Sequence, residues 1–286
     1  MKNERSILFV VNPNRSDAKV AAEELAKILV DQGFHCFVDS EVEILGLSNA
    51  SAADTANVEI AIVLGGDGTM LRAAESVRGT QTPILGVNLG RVGFLAEVEK
   101  PTISEIATAV VAKNYIVDQR LVLAYEVLRA GKVVSQGWAL NEVTIERSET
   151  TMVELFVQID DRPLSRWGCD GLICSTPTGS TAYAFSAGGP VVWPEVEALV
   201  VLPISAHALF SKPMVVSAQS TVVVDVESGK ALLSGDSRRK FSLLRGDRIV
   251  MTRDQETVRL AHLREILFTD RLVAKFKLPI EGWRGE

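Results

Sequence analysis

The 286-residue chain has three cysteines, Cys36, Cys169 and Cys174, an odd number whose spacings form no paired zinc set. Reduced thiols in a cytoplasmic protein are therefore the expectation. Histidine is equally sparse: His35, His207 and His262 each stand without a cysteine or carboxylate at metal or triad spacing, so no histidine metal site is expected. No apolar stretch approaches the length of a membrane span. Residues 7–11, behind a charged start, are too short for a signal-peptide core. Positive charge is not in excess, since 30 Lys and Arg against 36 Asp and Glu give a net charge of -6. That balance argues against a surface devoted to nucleic acid or anionic lipid, and any anionic ligand must be held locally. Internal repeats and low-complexity tracts are also lacking. What the chain has is apolar residues, 47% of it, enough for the cores of two ordinary domains.

The first third alternates strand and helix patterns. Strands are predicted over residues 7–11, 34–38, 60–64 and 84–87. A helix over 17–32 should bury Ala21, Leu25, Ile28 and Leu29 and stop at Gly33. Further helices are expected after Thr69 and over 102–113, and this order predicts a doubly wound parallel α/β sheet. Near Tyr115 the pattern changes to strand-like runs at 121–129, 138–146, 153–160 and 221–227. Turn chemistry at Ala130-Gly131, at 160–163, at Ser228-Gly229 and at 245–247 divides them. A C-terminal domain of mostly antiparallel β structure is predicted, with a boundary near Val117.

The run Gly65-Gly66-Asp67-Gly68-Thr69 stands between an apolar strand and a helix. Its glycines permit backbone angles that a side chain forbids and let main-chain N–H groups approach an anion, while the helix adds the positive end of its dipole. A plain tight turn would use the same glycines. Asp67 is the unusual member, because a carboxylate inside an anion site suggests chemistry on a hydroxyl or on a metal-bridged phosphate. Neither the P-loop pattern nor the dinucleotide fingerprint is present. Thr69 is a candidate hydroxyl contact. Arg72, one turn on, is either a ligand contact or a solvated helix residue.

A second glycine-rich segment, residues 86–95, follows the next strand, so the two loops should share the ligand-binding edge of the sheet. Asn88, Arg91 and Phe94 are candidates to line it, with Phe94 equally suited to the core. Asn141-Glu142 interrupts a strand-like run, and an amide beside a carboxylate can hold a nucleoside, although a solvent-facing pair at a bulge would look the same. Residues 169–190 contain five Ser or Thr within seven positions, punctuated by Pro177 and Gly179. These offer hydroxyls to a wrapped polar ligand, and the flanking 172–174 and 182–185 segments look buried, unlike a linker.

Together, residues 65–69, 88–94, Asn141-Glu142 and 170–190 resemble the NAD kinase family, in the right order over most of the chain. The Gly-Gly-Asp-Gly-Thr loop is also similar to that of diacylglycerol and sphingosine kinases, whereas Thr176-Pro177-Thr178-Gly179-Ser180-Thr181-Ala182-Tyr183 is far more specific. The Gly168-Cys169-Asp170 and Ala206-His207-Ala208-Leu209-Phe210 variants look like actinobacterial members. The resemblance implies an α/β domain at 1–117, a β-rich NAD-binding domain at 118–267 and a segment, 268–286, returning to the first. It implies phosphorylation of the adenosine 2'-hydroxyl of NAD by ATP or polyphosphate, with magnesium carried on the donor phosphates. It also implies a homodimer or homotetramer.

By the same resemblance Asp67 acts on the hydroxyl, and Gly65, Gly66, Gly68 and Thr69 form the phosphate loop. Gly68, Arg72 and Phe94 help to hold substrate, and Asn141 and Glu142 grip the nucleoside. Asp170 is expected near the nicotinamide ribose, with Thr181, Ala182, Tyr183 and Ser186 lining the dinucleotide site. Two positions depart from the family pattern: Gly168 stands where many members carry arginine, and Asp236-Ser237-Arg238 where many carry Asp-Gly-Gln. Arg166 or Arg238 is the candidate replacement for the missing positive charge. A kinase for a lipid or small alcohol, and a non-catalytic NAD or NADP sensor, are the rival readings.

Overall fold

A computed structural model describes residues 5–39, 41–87, 89, 93–95, 101–265 and 267–280. The chain divides into two compact units, one made of residues 1–119 and 258–286, the other of residues 120–257.

The first unit is built from β1 (Ser6–Val11), α1 (Ser16–Asp31), β2 (His35–Val38), β3 (Ser48–Asn49), α2 (Ala52–Asn57), β4 (Ile60–Leu64), α3 (Asp67–Ser76), β5 (Ile84–Val87), α4 (Ile103–Ala112) and β6 (Ile116–Arg120). Its sheet has the order β3-β2-β1-β4-β5, with parallel pairing throughout that stretch. Strand β4 is buried at every position, as its unbroken apolar run requires of a strand covered on both faces. Helix α1 buries Ala18, Ala22, Leu25, Ala26 and Leu29. Ala21 and Ile28, expected inside, only flank that stripe, because the helical period carries the inward face through 18, 22, 25 and 29. Gly33 takes φ +86° just past the helix, as its stop role requires. Helix α4 opens with a capping box in which Thr102 and Glu105 satisfy each other's backbone N–H groups.

The second unit contains β7 (Leu123–Arg129), β8 (Lys132–Ala139), β9 (Glu142–Arg147), β10 (Val153–Ile159), β11 (Arg162–Cys169), β12 (Gly171–Ser175), the short helix α5 (Tyr183–Ser186), β13 (Ala198–Ile204), β14 (Met214–Ser217), β15 (Val222–Ser228), β16 (Ala231–Gly235), β17 (Arg239–Leu243) and β18 (Arg248–Arg253). They form two six-stranded antiparallel sheets, β11-β10-β15-β18-β7-β8 and β14-β13-β12-β9-β16-β17. Alternate residues point inward from both, so that Val153, Leu155 and Val157 of one sheet share a core with Leu172, Cys174, Leu199 and Val201 of the other. Hairpin turns at Ala130-Gly131, Asp160-Asp161 and Asp236-Ser237 each place two successive residues at positive φ, the geometry that matches strand twist.

One predicted strand is two. Residues 138–146 split into the end of β8 and the start of β9, which lie in different sheets. The chain then returns to the first unit at Val258, where β19 (Val258–His262) enters the first sheet between β5 and β6 and is followed by α6 (Phe268–Phe276). All three cysteines are free and buried, and burial pushes Cys36 and Cys174 up to about 12 and Cys169 to about 11. They serve as core residues rather than nucleophiles. No helix among the described residues is long and apolar enough to cross a membrane.

Candidate active site

In the first unit the glycine loop is shorter than expected, because α3 begins at Asp67 rather than after Thr69, with Gly66 as its N-cap. None of Gly65, Gly66 and Gly68 adopts positive φ, so unusual backbone angles do not explain them. Space does. A Cβ on Gly65 would overlap the Thr69 side chain, whereas one on Gly66 or Gly68 would point into open space. The two bare glycines leave the front of the helix N-terminus uncovered. The amides of Asp67 and Gly68, at the first two helical positions, have no carbonyl behind them in the helix. Thr69 is 6% exposed and packs under Gly65, so its hydroxyl is not on the open face as expected.

The Asp67 carboxylate is half-buried and held from one side. The backbone N–H of Phe94 donates to its Oδ2 at 3.4 Å and that of Leu95 to its Oδ1 at 3.3 Å. Gly93 makes this approach possible, since a Cβ there would overlap Oδ1. The loops after β4 and β5 thus meet at one carboxylate, on the edge where open α/β sheets bind ligands. Phe94 packs its ring on Phe268 and Phe276 of α6, at 6.3 and 5.7 Å between centroids. Arg72 is neither solvated nor idle: its side chain is 11% exposed, Nε lies 2.8 Å from Asp39 Oδ2, Nη1 pairs with Glu41, and Nη2 donates to the Val11 carbonyl at 2.6 Å. It ties α3 to the ends of β1 and β2. The candidates Asn88 and Arg91 lie outside the described residues.

In the second unit, Asn141 and Glu142 sit at the crossing from β8 to β9, which Asp236 organises. Its carboxylate accepts from the amides of Leu140 and Asn141, both at 2.8 Å, and of Glu142 at 3.4 Å. Burial pushes the Asp236 carboxyl up, opposed by those amides and by Arg239. Arg239 Nη1 stands 3.6 Å from Asp236, and its guanidinium lies over the Trp138 ring. On the other side, the Asn141 carbonyl accepts from Thr176 N–H at 2.8 Å, and Gly179 is required there because a Cβ would overlap that carbonyl. The backbone of Asn141 is thereby fixed, while its side-chain amide has no partner among the described residues.

Glu142 is 5% exposed, and its Oε2 has no hydrogen bond among the described residues. Burial, reinforced by the charge of Asp236, pushes it up to about 8, against the Tyr183 backbone N–H that favours the ionised form. With three amides and Arg239 on Asp236, the negative charge of this pair resides there and the proton on Glu142. Tyr183 is raised by burial and then by Glu146, Glu142 and Asp170, so these groups are near neighbours. Asp170 pairs with Arg147, Oδ1 to Nε 2.7 Å.

The hydroxyl-rich segment behaves differently from expectation. Thr176 Oγ1 donates to the Leu140 carbonyl at 2.5 Å, Ser175 Oγ to the Asn141 carbonyl at 3.2 Å and Ser180 Oγ to the Pro177 carbonyl at 2.7 Å, all within a buried network. The Thr176 and Ser175 hydroxyls brace the Asn141 crossing, and that of Ser180 ties its own turn to Pro177 and Val192, instead of facing a ligand. Tyr183 and Phe185, read as buried, are 37% and 40% exposed, because α5 is a single turn that buries only Ala184. Ser186 is exposed, and Thr181 and Ala182 are half-buried. Arg166 is engaged by Glu227 and stacks on Phe156. Arg238 is exposed on the β16–β17 turn. Sequence reasoning did not single out Arg147 or the scaffold role of Asp236, whose partners lie up to 96 residues away. Among the described residues no group of three or more His, Cys, Asp or Glu could hold a metal.

A parallel α/β unit that presents a carboxylate at an uncovered helix N-terminus, continued by a β-sandwich unit, has the groups that phosphoryl transfer to a hydroxyl requires. Residues 7–115 match the family model described as ATP-NAD kinase N-terminal domain, and residues 140–263 that described as ATP-NAD kinase C-terminal domain. The chain is 44% identical to the NAD kinase of Mycobacterium tuberculosis over 309 residues, covering 100% of both chains. It is 46% identical to that of Leifsonia xyli, over 100% of this chain and 98% of the relative. For NAD kinase 2 of Streptomyces avermitilis the identity is 50%, over 98% and 97%. Two solved structures share the fold. Yeast NADH kinase complexed with NADH gives a TM-score of 0.84 at 22% identity, covering 98% of this chain and 89% of that one. An Archaeoglobus fulgidus NAD kinase in complex with ATP gives 0.73 at 24%, covering 96% and 98%. The chain belongs to the NAD kinase family, and its enzyme activity is that of a NAD kinase.

Proposed function

We propose that Asp67 orients the adenosine 2'-hydroxyl of NAD and accepts its proton while the γ-phosphoryl group of ATP, or the end of a polyphosphate, transfers to that oxygen to give NADP. The observation that carries this reading is the half-exposed Asp67 carboxylate, fixed by two amides beside the uncovered N–H groups of α3. Phosphoryl transfer proceeds through a loose transition state, so positioning and charge neutralisation supply most of the catalysis. Gly66, Asp67 and Gly68 would offer main-chain N–H groups to the donor phosphates.

Asp67, at the N-terminus of α3, is the described carboxylate that would reach a magnesium ion delivered with the donor phosphates. When bound, the ion spreads phosphate charge. Asn141 and Glu142, whose Oε2 has no hydrogen bond among the described residues, would grip the nucleoside. Asp170, steadied by Arg147, would meet the nicotinamide ribose, with Thr181, Ala182, Tyr183 and Ser186 along the dinucleotide and Arg238 toward phosphate. The role of Arg72 would be indirect, through the Asp39 contact that steadies α3. Buried, free cysteines support a cytoplasmic location. Leu209 and Phe210, exposed beyond β13, are apolar surface that a second copy in a homodimer or homotetramer would cover.

The test is to incubate purified protein with NAD, ATP and magnesium and to follow product with an NADP-specific dehydrogenase, with polyphosphate replacing ATP in a parallel reaction. NADP formation with at least one donor is expected. Its absence with both would contradict the reading.

A further inference from the structure

Arg271, the fourth residue of α6, is 3% exposed, rare for a guanidinium. Its Nη1 donates to the Phe94 carbonyl at 3.0 Å, and its Nη2 lies 3.1 Å from Nδ1 of His262 in β19. A guanidinium has only donors, so His262 Nδ1 is the acceptor and carries no proton. The other ring nitrogen, Nε2, stands 3.6 Å from Asp118 Oδ2 in β6.

The peptide joining Phe94 to Leu95 is a rigid plane. Its carbonyl oxygen takes the Arg271 hydrogen bond, and its N–H, that of Leu95, donates to Asp67 Oδ1 at 3.3 Å. Arg271 therefore pins one end of the same planar unit whose other end holds the carboxylate. A cation on the carbonyl also polarises the amide and makes its N–H a stronger donor. The rings of Phe268 and Phe276 hold the Phe94 side chain from the same helix. Both the plane and the ring at position 94 are set by α6.

We propose that Arg271 is a positioning residue for phosphoryl transfer, fixing the Phe94–Leu95 peptide and through it the orientation of the Asp67 carboxylate. The proposal rests on the reading of Asp67 as the base. Arg271→Met and Arg271→Lys, made in the full chain, test it by kcat, KM for NAD and melting temperature. A misoriented base is expected to lower kcat by about 10- to 100-fold in Arg271→Met while KM stays within about twofold, with Arg271→Lys recovering part of the loss. Folded variants with wild-type kcat, or with unchanged kcat and a raised KM, would overturn it. Should Arg271→Met fail to fold, Arg271→Lys decides by the same criteria. Asp67→Asn, measured beside them, separates the two ideas. If it keeps its turnover, the base assignment fails; if it loses turnover while the folded Arg271 variants do not, only the role of Arg271 fails.

Discussion

Glu142 carries its proton because the residues around it leave its charge uncompensated. It is buried beside Asp236, and the backbone donors of the β8–β9 crossing serve Asp236 instead. The folded protein raises this carboxyl from 4.5 to about 8, so between those values the folded state holds a proton that the unfolded chain has released. The stability tied to that proton is fully present below about pH 4.5 and is lost as pH rises through about 8. Glu142→Gln, a neutral mimic, should flatten the stability curve in this window and leave the variant on the order of 2 kcal/mol more stable than wild type at about pH 8.5. Urea unfolding of both proteins from about pH 5 to about pH 8.5 checks it, and parallel curves would contradict it. In the sequence, the Asn141-Glu142 pair could be singled out as two adjacent polar residues in an apolar run. Its protonation could not, because that depends on Asp236, distant along the chain.

At the scale of elements, the crossing between β8 and β9 is held by one acceptor and several donors. Removing the acceptor leaves the Leu140, Asn141 and Glu142 amides unpaired in a buried place. Asp236→Ala is therefore expected to cost about 2–4 kcal/mol of stability and to raise KM for NAD. Chemical denaturation and steady-state kinetics read the two effects separately, and a variant as stable as wild type would argue against this scaffold. Strand β4 was readable from a short apolar run that ends at Gly65 and β5 from the apolar run of residues 84–87, and the β7–β8, β10–β11 and β17–β18 turns from their residues. The β8–β9 crossing was not, since Leu140 continues the apolar pattern and a period of two cannot report a change of sheet. The hydroxyls of residues 175–181 were legible as a cluster but not in their use, because a hydroxyl bonded to a backbone carbonyl and one awaiting a ligand have the same letters.

For the whole molecule, the order of the chain matters. The first unit lacks β19 and α6 until residues beyond the second unit have been made, and β19 fills the place between β5 and β6. A chain ending at Thr257 should leave β5 with an open edge and Phe94 without its ring partners. Hydrogen exchange on that shortened chain is expected to show unprotected amides in β1, β4 and β5 but protected ones in β10, β12 and β15. Native protection in β4 would contradict this. Val258–His262 is a short apolar stretch like many others, so its membership of the first sheet could not be read from residue pattern; the family resemblance implied a returning segment only at 268–286, which leaves this strand out.

The account turns on Asp67 as the group that acts on the hydroxyl. The most direct measurement is the turnover of Asp67→Asn in the NADP-forming assay, with its NAD affinity measured by calorimetry on the same preparation. A fall in kcat of at least about 100-fold with the NAD dissociation constant within about threefold of wild type is predicted. Turnover at the wild-type rate would contradict it.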